Sequence, residues 1–251
     1  QDKLARAAAT LGAHAIQADV SQEADVTRTM DDVLATFGFL DILVNNAGIG
    51  SFKALVDQDL ASFERIFATN VTGPMLMGRE AARHFIARKR GNIVNIASTA
   101  GTRGAPNGTA YYASKFALRG MTECWRGELR PHNIRVCLIN PSEVLTPFFD
   151  HAGGAPADNP TKLHAEDIAH LVRAVLEMNL EGMAYYSNDV NMKGFAATFR
   201  EVVYANSLPS RTTMTNTVNG DGSVAFAPHA FVGFAAWDST GFLMNLTDLS
   251  I

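Results

Sequence analysis

Short apolar runs alternate along this chain with longer segments in which apolar residues recur every three or four positions. The runs are rich in Ile, Val and Leu, as is typical of buried β-strands, and they lie at 41–44, 93–96 and 134–139. The longer segments have the spacing of amphipathic helices and lie at 2–11, 22–37, 59–89, 109–130 and 165–178. Because buried strands alternate with helices, the pattern predicts an α/β fold.

Weaker signals predict further strands and the places where elements stop. Residues 13–18 and 182–190 have the composition of short strands. Ser21 is expected to cap the helix at 22–37, and Gly73-Pro74 predicts a kink in the helix at 59–89. The Gly- and Pro-rich stretch 147–162 predicts a mobile surface loop of the kind that covers a binding site.

Residues 191–251 differ from the rest of the chain. Short apolar runs alternate there with turn signals such as Asn219-Gly220-Asp221-Gly222. The pattern therefore predicts two parts, an α/β domain at 1–190 and a β-rich C-terminal extension of unknown character at 191–251.

The composition narrows the classes of function. With 251 residues, 47% hydrophobic and 18% charged, the chain has an ordinary soluble composition. Its net charge of −4 argues against nucleic acid as a partner. No apolar run approaches the roughly 20 residues that span a bilayer, and no signal peptide is visible, so no membrane association and a cytoplasmic location are expected. The seven His residues lack the spacing of metal ligands, so no metal site is expected.

The stretch 93–115 carries the candidate chemistry. Ser98 follows a predicted buried strand, and the next predicted helix carries Tyr111 and Lys115, which share a face because they are four residues apart. An adjacent ammonium favours phenolate and lowers a tyrosine pKa, so the pair could act as a tuned proton donor and acceptor. A surface helix with an amphipathic Tyr and a snorkelling Lys is the alternative interpretation.

The residues around Tyr111 resemble the catalytic core of the short-chain dehydrogenase/reductase family. The Tyr-x-Ala-Ser-Lys signature stands at 111–115, and Ser98 lies 13 residues before Tyr111, as in the family. The resemblance implies a Rossmann-like, doubly wound parallel sheet. It also implies an oxidoreductase that transfers a hydride between NAD(P)H and a ketone or 3-oxoacyl carbonyl of a small-molecule substrate. The enzyme would thus interconvert a ketone and the corresponding secondary alcohol. The catalytic residues would be Asn70, Ser98, Tyr111 and Lys115.

The same resemblance assigns residues to the cofactor, NAD or NADP. Tyr111 and Lys115 would contact it, together with the residues that follow three of the predicted strands, namely Asp19, Val20, Asn46, Ala47, Gly48, Pro141, Val144 and Thr146. Taken alone, Asn46-Ala47-Gly48 is equally typical of an ordinary strand-to-loop turn. Ser142 stands where the family usually has glycine, which puts the local turn in question.

Other family features leave alternatives open. The family's first β-α-β unit, with its glycine-rich phosphate-binding turn, is absent from this sequence, so we expect an N-terminally truncated member. The residues that distinguish NAD from NADP belong to that unit, so the sequence does not indicate which of the two cofactors is used. The segment 141–146 looks most like the 3-oxoacyl-[acyl-carrier-protein] reductase-like branch. The resemblance also implies a homodimer or homotetramer through the helices at 59–89 and 109–130. A non-catalytic relative that serves as an oligomerisation partner, a non-functional fragment and an extended-branch epimerase are the other hypotheses.

Overall fold

The structure is a computed structural model. It describes residues 2–152 and 162–177, together with the backbone of four short strand segments at 189–191, 217–218, 224–225 and 231–234. Six of the seven α-helices in the described part of the chain lie within the first of these ranges.

A five-stranded sheet forms the centre of the fold. Its strands are β1 (Ile42–Asn45), β2 (Gly91–Ile96), β3 (Ile134–Asn140), β4 (Asp189–Asn191) and β7 (Phe231–Phe234), in the order β4-β3-β2-β1-β7. Every neighbouring pair is parallel. Two further strands, β5 (Thr217–Val218) and β6 (Val224–Ala225), form a separate antiparallel pair. The predicted α/β, Rossmann-like parallel sheet is confirmed.

The helices of the described residues differ widely in length. They are α1 (Asp2–Leu11), α2 (Glu23–Phe37), α3 (Leu60–Phe67), α4 (Gly73–Arg88), α5 (Thr109–Leu129), α6 (Phe148–Ala152) and α7 (Ala165–Glu177). Two of their ends have clear local causes. Asp59 caps α3 by accepting a hydrogen bond from the Ser62 backbone N–H at 2.7 Å. Gly38 ends α2 in the left-handed conformation that glycine adopts without strain.

Alternating residues of β1, β2 and β3 pack on opposite faces of the sheet. On one face Leu43, Ile93 and Val136 pack against α2 and α4. On the other face Val44 and Ile139 belong to a second buried cluster, which α7 completes. Because both faces are covered by helices, nearly every position of these strands is buried, which explains their continuous apolar runs.

Two predicted features of the N-terminal part are wrong. Residues 13–18 form no strand. The side chain of Ile16 packs on the core and the carbonyl of Gln17 accepts a hydrogen bond from Arg28 at 2.9 Å, so this segment is held by α2 and not by a strand ladder. Ser21 does not cap α2, because Gln22 occupies that position and the Ser21 N–H and hydroxyl both donate to the carboxylate of Asp19.

The predicted break in the helix at 59–89 is present but has a different form. One π-helical turn, Ala68–Thr72, joins α3 to α4, and Pro74 is the second residue of α4. Because proline has no N–H, the continuous helix lacks one backbone hydrogen bond at this position. The distortion therefore comes immediately before Gly73-Pro74, and Asn70 lies within it.

The later predictions fall partly outside the described residues. In the stretch 147–162, expected to be a loop, residues 148–152 form α6, and residues 153–161 lie outside the described part. Of the strand expected at 182–190, only β4 is described. The division of the chain at residue 190 stays a prediction, although β7, which comes from the second part, pairs with β1 over Ile42–Asn45.

Candidate active site

Three parallel strands end side by side at one edge of the sheet. Since β1, β2 and β3 are neighbours in parallel register, the residues that follow them lie at the same edge. The backbone N–H of Thr99 extends this pairing by donating to the carbonyl of Pro141 at 2.8 Å. The predicted site residues at this edge are Asn46, Ala47, Gly48, Ser98 and Pro141.

Helix α5 lies close against the turn that follows β2. This turn, Thr99–Gly101, is a single 3₁₀ turn, and Ser98 accepts a hydrogen bond from the Ala100 N–H at 3.1 Å at its start. A Cβ atom on Gly101 would lie 2.9 Å from the carbonyl oxygen of Lys115, so only glycine allows the two backbones to approach this closely. The contact sets Ser98 beside the part of α5 that carries Tyr111 and Lys115.

The ammonium group of Lys115 is buried, with 4% of the residue exposed. Its Nζ donates to the carbonyl oxygen of Ile96 at 3.1 Å and lies 5.7 Å from the centre of the Tyr111 ring. Burial lowers the pKa of Lys115 from 10.5 to about 8, because the charged form loses its hydration.

The pKa of the Tyr111 phenol is raised from 10.0 to about 12. Burial is the main cause. A hydrogen bond with Ser98 lowers the pKa and Tyr112 raises it, both to a smaller extent. The predicted downward shift is therefore wrong for this structure, because the loss of hydration outweighs the favourable interactions. At neutral pH the phenol keeps its proton and can donate it.

Asn70 is fully buried in the π-helical turn. Its Oδ1 accepts from the Ile49 N–H at 2.9 Å, and its Nδ2 donates to the Ile49 carbonyl at 2.9 Å and to the Ser114 hydroxyl at 3.0 Å. The side chain thus ties the loop after β1 to α5. Ser114 in turn donates to the Tyr111 carbonyl at 2.7 Å.

Gly48 separates the Lys115 ammonium from the Asn70 amide. A Cβ atom on Gly48 would lie 3.4 Å from Lys115 Nζ and 3.6 Å from Asn70 Oδ1. A side chain here would occupy the space between these two polar groups without a steric clash. Asn70, Ser98, Tyr111 and Lys115, which the sequence singled out, are therefore brought together with Gly48.

Aromatic rings surround Tyr111, and sequence reasoning missed them. The Tyr111 ring centre lies 5.5 Å from that of Phe52 and 5.5 Å from that of Phe148. Phe149 contacts both of these rings, at 6.2 Å and 5.4 Å. The signal in the sequence was the Phe148-Phe149 pair, which follows Thr146-Pro147 inside a stretch interpreted as a loop.

Each of the remaining predicted cofactor residues has a contact of its own. Val20 is buried against Gly73, at the start of α4, and the Asp19 carboxylate is bonded to Ser21. Val144 forms an isolated parallel bridge with Leu163, which lies just before α7. The Thr146 hydroxyl accepts the Phe148 N–H at 3.4 Å and so holds the start of α6.

Ser142 fits the turn after β3 without strain. Among the described residues the non-glycine positions with positive φ are Lys89, Asn107 and Asn133. Position 142 therefore does not need the left-handed conformation that would require the family's glycine.

A buried polar chain beneath the site was also missed. Asn45 donates to the Asn95 side chain at 2.9 Å, Asn95 donates to the Thr122 hydroxyl at 2.8 Å, and Thr122 donates to the Leu118 carbonyl at 2.7 Å. These bonds join β1, β2 and α5. Asn95 lies in one predicted strand and Asn45 directly follows another, but their pairing depends on register, which the sequence does not specify.

The described part of the chain has neither a metal cluster nor a membrane span. No group of three or more His, Cys, Asp or Glu side chains is arranged to hold a metal ion there. Within the same residues, no helix has the length and apolarity needed to cross a membrane.

Comparison with known proteins places the chain in a family. The family described as short chain dehydrogenase matches residues 1–157. A short-chain dehydrogenase/reductase from Armillaria gallica is 32% identical over 212 residues, which cover 84% of this chain and 75% of that protein. A 3-alpha-(or 20-beta)-hydroxysteroid dehydrogenase from Mycobacterium tuberculosis is 39% identical over 135 residues, which cover 54% of this chain and 52% of the relative. The chain thus spans about half to three quarters of the length of these relatives.

Solved structures have the same fold and hold nicotinamide cofactors. A 3-ketoacyl-(acyl-carrier-protein) reductase from Brucella melitensis, complexed with NADH, superposes with a TM-score of 0.62 at 32% identity, over 71% of this chain and 77% of that one. ElxO with NADP bound gives 0.61 at 26% identity, over 70% and 74%. The expected cofactor class, NAD or NADP, is confirmed. The chain belongs to the short chain dehydrogenase family of NAD(P)-dependent oxidoreductases.

Proposed function

We propose that this protein interconverts a ketone and a secondary alcohol, with Tyr111 as the proton donor in the direction of reduction. The observation that supports the proposal most is the convergence of Ser98, Tyr111 and Lys115 at the carboxyl edge of a parallel sheet, which is where open α/β sheets bind their ligands.

The residues present fit a nicotinamide cofactor. The Lys115 ammonium has three protons, and the hydrogen bonds of the described residues use one of them, toward Ile96. Asn46 Nδ2 is buried and has no hydrogen-bond partner among the described residues, which is costly unless another group accepts from it. Gly48 leaves space between Lys115 and Asn70. When bound, the cofactor gives hydride to the substrate carbonyl carbon or takes it from the alcohol.

The positions that would hold this cofactor follow the strand ends. Lys115 and Tyr111 would lie at its nicotinamide half, together with the segment Asn46, Ala47 and Gly48. Pro141, Val144 and Thr146 would lie on the opposite side, and Asp19 and Val20 further along toward the adenine.

The proton chemistry belongs to three side chains. Tyr111, with a pKa of about 12, is protonated at neutral pH and donates to the carbonyl oxygen. Ser98 accepts from the Ala100 N–H, and its hydroxyl, which is hydrogen-bonded to Tyr111 in this structure, would donate its proton to the same oxygen. Lys115 places a positive charge near both, and Asn70 is a positioning residue that fixes the loop after β1.

Two known relatives support different substrates within this class. The Brucella melitensis neighbour is a 3-ketoacyl-(acyl-carrier-protein) reductase, which supports a 3-oxoacyl carbonyl. The Mycobacterium tuberculosis relative is a hydroxysteroid dehydrogenase, which supports a ring-borne alcohol. A dimer or tetramer through α3–α4 and α5 is supported by Met75 and Phe116, apolar residues exposed on these helices. The truncation and the cytoplasmic location stay predictions, and the proposal includes both NAD and NADP.

A direct assay tests the function. NADH and NADPH oxidation is followed with a panel of ketones for the wild type and for Ser98→Ala. We expect turnover with at least one cofactor, and a loss of about 10²-fold or more in kcat for Ser98→Ala, because a donor to the developing oxyanion is removed. Cofactor binding without turnover of any ketone would instead favour a non-catalytic relative.

A further inference from the structure

We infer that Phe52, Phe148 and Phe149 bind the body of the substrate and select ketones whose carbonyl is attached to an apolar ring. The inference rests on the proposed function, since it assumes that a carbonyl group reaches the Tyr111 hydroxyl. It concerns the side chains around that hydroxyl, which the catalytic residues leave unspecified.

The four aromatic rings form a closed circuit. Tyr111 contacts Phe52 and Phe148, each at 5.5 Å between ring centres, and Phe149 contacts Phe52 at 6.2 Å and Phe148 at 5.4 Å. The rings of Phe52 and Phe149 are nearly parallel, at 17°, while those of Phe148 and Phe149 are perpendicular, at 89°. These are the stacked and edge-to-face geometries that aromatic groups prefer.

Two backbone contacts hold this arrangement in place. The Phe52 N–H donates to the carbonyl of Ala152, the last residue of α6, at 3.1 Å. A Cβ atom on Gly50 would lie 2.6 Å from the Phe148 ring, so glycine at this position allows the ring to lie directly on the loop after β1. The loop after β1 and helix α6 are thereby joined next to Tyr111.

An apolar ring suits this surface better than a chain or a polyol. A rigid ring can stack on the phenyl groups without losing internal rotations, whereas a flexible chain of equal size loses them when it is bound. The hydroxyls of a polyhydroxy ketone would lose water against the phenyl groups without gaining a partner.

An anionic substrate would also bind poorly to the surface at Phe52. The cation nearest to Phe52 in the chain, Lys53, already forms an ion pair with Asp59 at 2.7 Å. That Asp59 carboxylate also caps α3. Lys53 is therefore held by a partner that has its own structural role, so it does not offer its charge to a substrate that lies on Phe52.

The test compares two ketones with the same number of carbon atoms, cyclohexyl methyl ketone and 2-octanone, and adds dihydroxyacetone. The full chain is assayed as wild type, Phe52→Leu and Phe148→Leu, with Phe63→Leu as the matched control because Phe63 stacks on Phe67, outside the circuit. NAD(P)H fluorescence measures cofactor binding, and circular dichroism measures folding.

We expect the wild type to favour the cyclic ketone over 2-octanone by about tenfold in kcat/KM, and over dihydroxyacetone by more. Each circuit variant should reduce the first ratio by about fivefold or more, while Phe63→Leu keeps it and cofactor binding is unchanged in all four. A wild type that prefers 2-octanone or dihydroxyacetone overturns the inference whether or not the variants fold. Equal losses on both ketones in folded variants overturn it as well.

Failure of the proposed function has a different signature. If the folded wild type binds NAD(P)H but turns over no ketone, the proposed reaction is wrong. Ring selectivity is then measured by saturation-transfer NMR on the same two ketones with the wild type. Stronger transfer to the cyclic ketone supports the binding surface, and equal transfer overturns it.

Discussion

Lys115 directs its ammonium to the carbonyl oxygen of Ile96, at 3.1 Å, while the centre of the Tyr111 ring lies 5.7 Å away. The lysine is therefore anchored to the end of β2. The pKa values of the two groups are shifted in opposite directions from their usual values. Burial lowers the pKa of Lys115 to about 8 and raises that of Tyr111 to about 12. Both shifts favour the uncharged form of the group.

The first prediction concerns the pH dependence of stability. Between pH 8 and 10.5 the unfolded chain holds a proton on Lys115 that the folded chain has lost, so this residue makes the unfolding free energy rise with pH across that window. Below pH 8 the buried charge opposes folding by about 3 kcal/mol. The Lys115→Met variant lacks this dependence, so the melting temperature of the wild type relative to the variant should be higher at pH 10 than at pH 7.

Thermal melts of both proteins at the two pH values measure this difference. Other buried groups contribute equally to the two proteins, so their effects cancel. A difference in melting temperature that stays constant from pH 7 to pH 10 would show that the Lys115 ammonium is not buried as described.

The second prediction separates the two adjacent tyrosines. Both share a helix face with Lys115, at four and three residues' distance, but the Tyr112 ring packs on Gly108, where a Cβ would lie 2.3 Å from it. Tyr111→Phe should lower kcat for ketone reduction by about 10²–10⁴-fold, since it removes a general acid. Tyr112→Phe should largely retain activity. Steady-state assays with matched melting curves decide the point, and similar losses in both variants would contradict the assignment.

The third prediction uses the space at Gly48. An added methyl group would meet Lys115 Nζ at 3.4 Å and Asn70 Oδ1 at 3.6 Å, which are ordinary contact distances. Gly48→Ala should therefore fold with little change in melting temperature, yet lose about tenfold or more in kcat/KM, because the methyl group would fill space that the proposed cofactor needs beside Lys115. Gly104→Ala is the matched control, since a Cβ there has no atom of the described residues within 4 Å. Full activity in Gly48→Ala would show that this space is not used.

Much of the fold was readable from the sequence because it depends on local signals. The apolar runs gave β1, β2 and β3 to within a few residues, and Gly38 marked the end of α2 because its left-handed backbone suits glycine. The segment at 13–18 failed because a strand exists only with a partner beside it. In this structure α2 holds the segment instead.

The catalytic residues of the site could be predicted from the sequence, but the residues that surround them could not. The spacing of Ser98, Tyr111 and Lys115 was enough to predict that these residues lie together. The direction of the Tyr111 pKa was not predictable, since burial depends on which residues lie over the ring. The contact between Phe52 and Phe149 joins residues that are far apart in the chain, and no local pattern indicates it.

The position of β7 leads to the last prediction. Its residues Phe231–Phe234 pair in parallel with Ile42–Asn45 of β1, on the side opposite β2. β1 leads directly into Asn46, Ala47 and Gly48, so this pairing lies next to the candidate cofactor segment. In a parallel ladder the N–H groups of consecutive residues point to opposite sides, so only one of Val232 and Gly233 donates toward β1.

Proline removes the N–H group, so Val232→Pro and Gly233→Pro should differ. The variant at the donating position loses a ladder hydrogen bond and should lower the unfolding free energy by about 1–3 kcal/mol. For a chain of this size that is a fall of several degrees in melting temperature. The other variant should resemble its alanine control, and Val232→Ala and Gly233→Ala correct for the change in side chain. Scanning calorimetry on the four variants measures the contrast. If both proline variants melt like their alanine controls, the pairing of β7 with β1 contributes nothing to stability, and residues 231–234 are not required for the sheet.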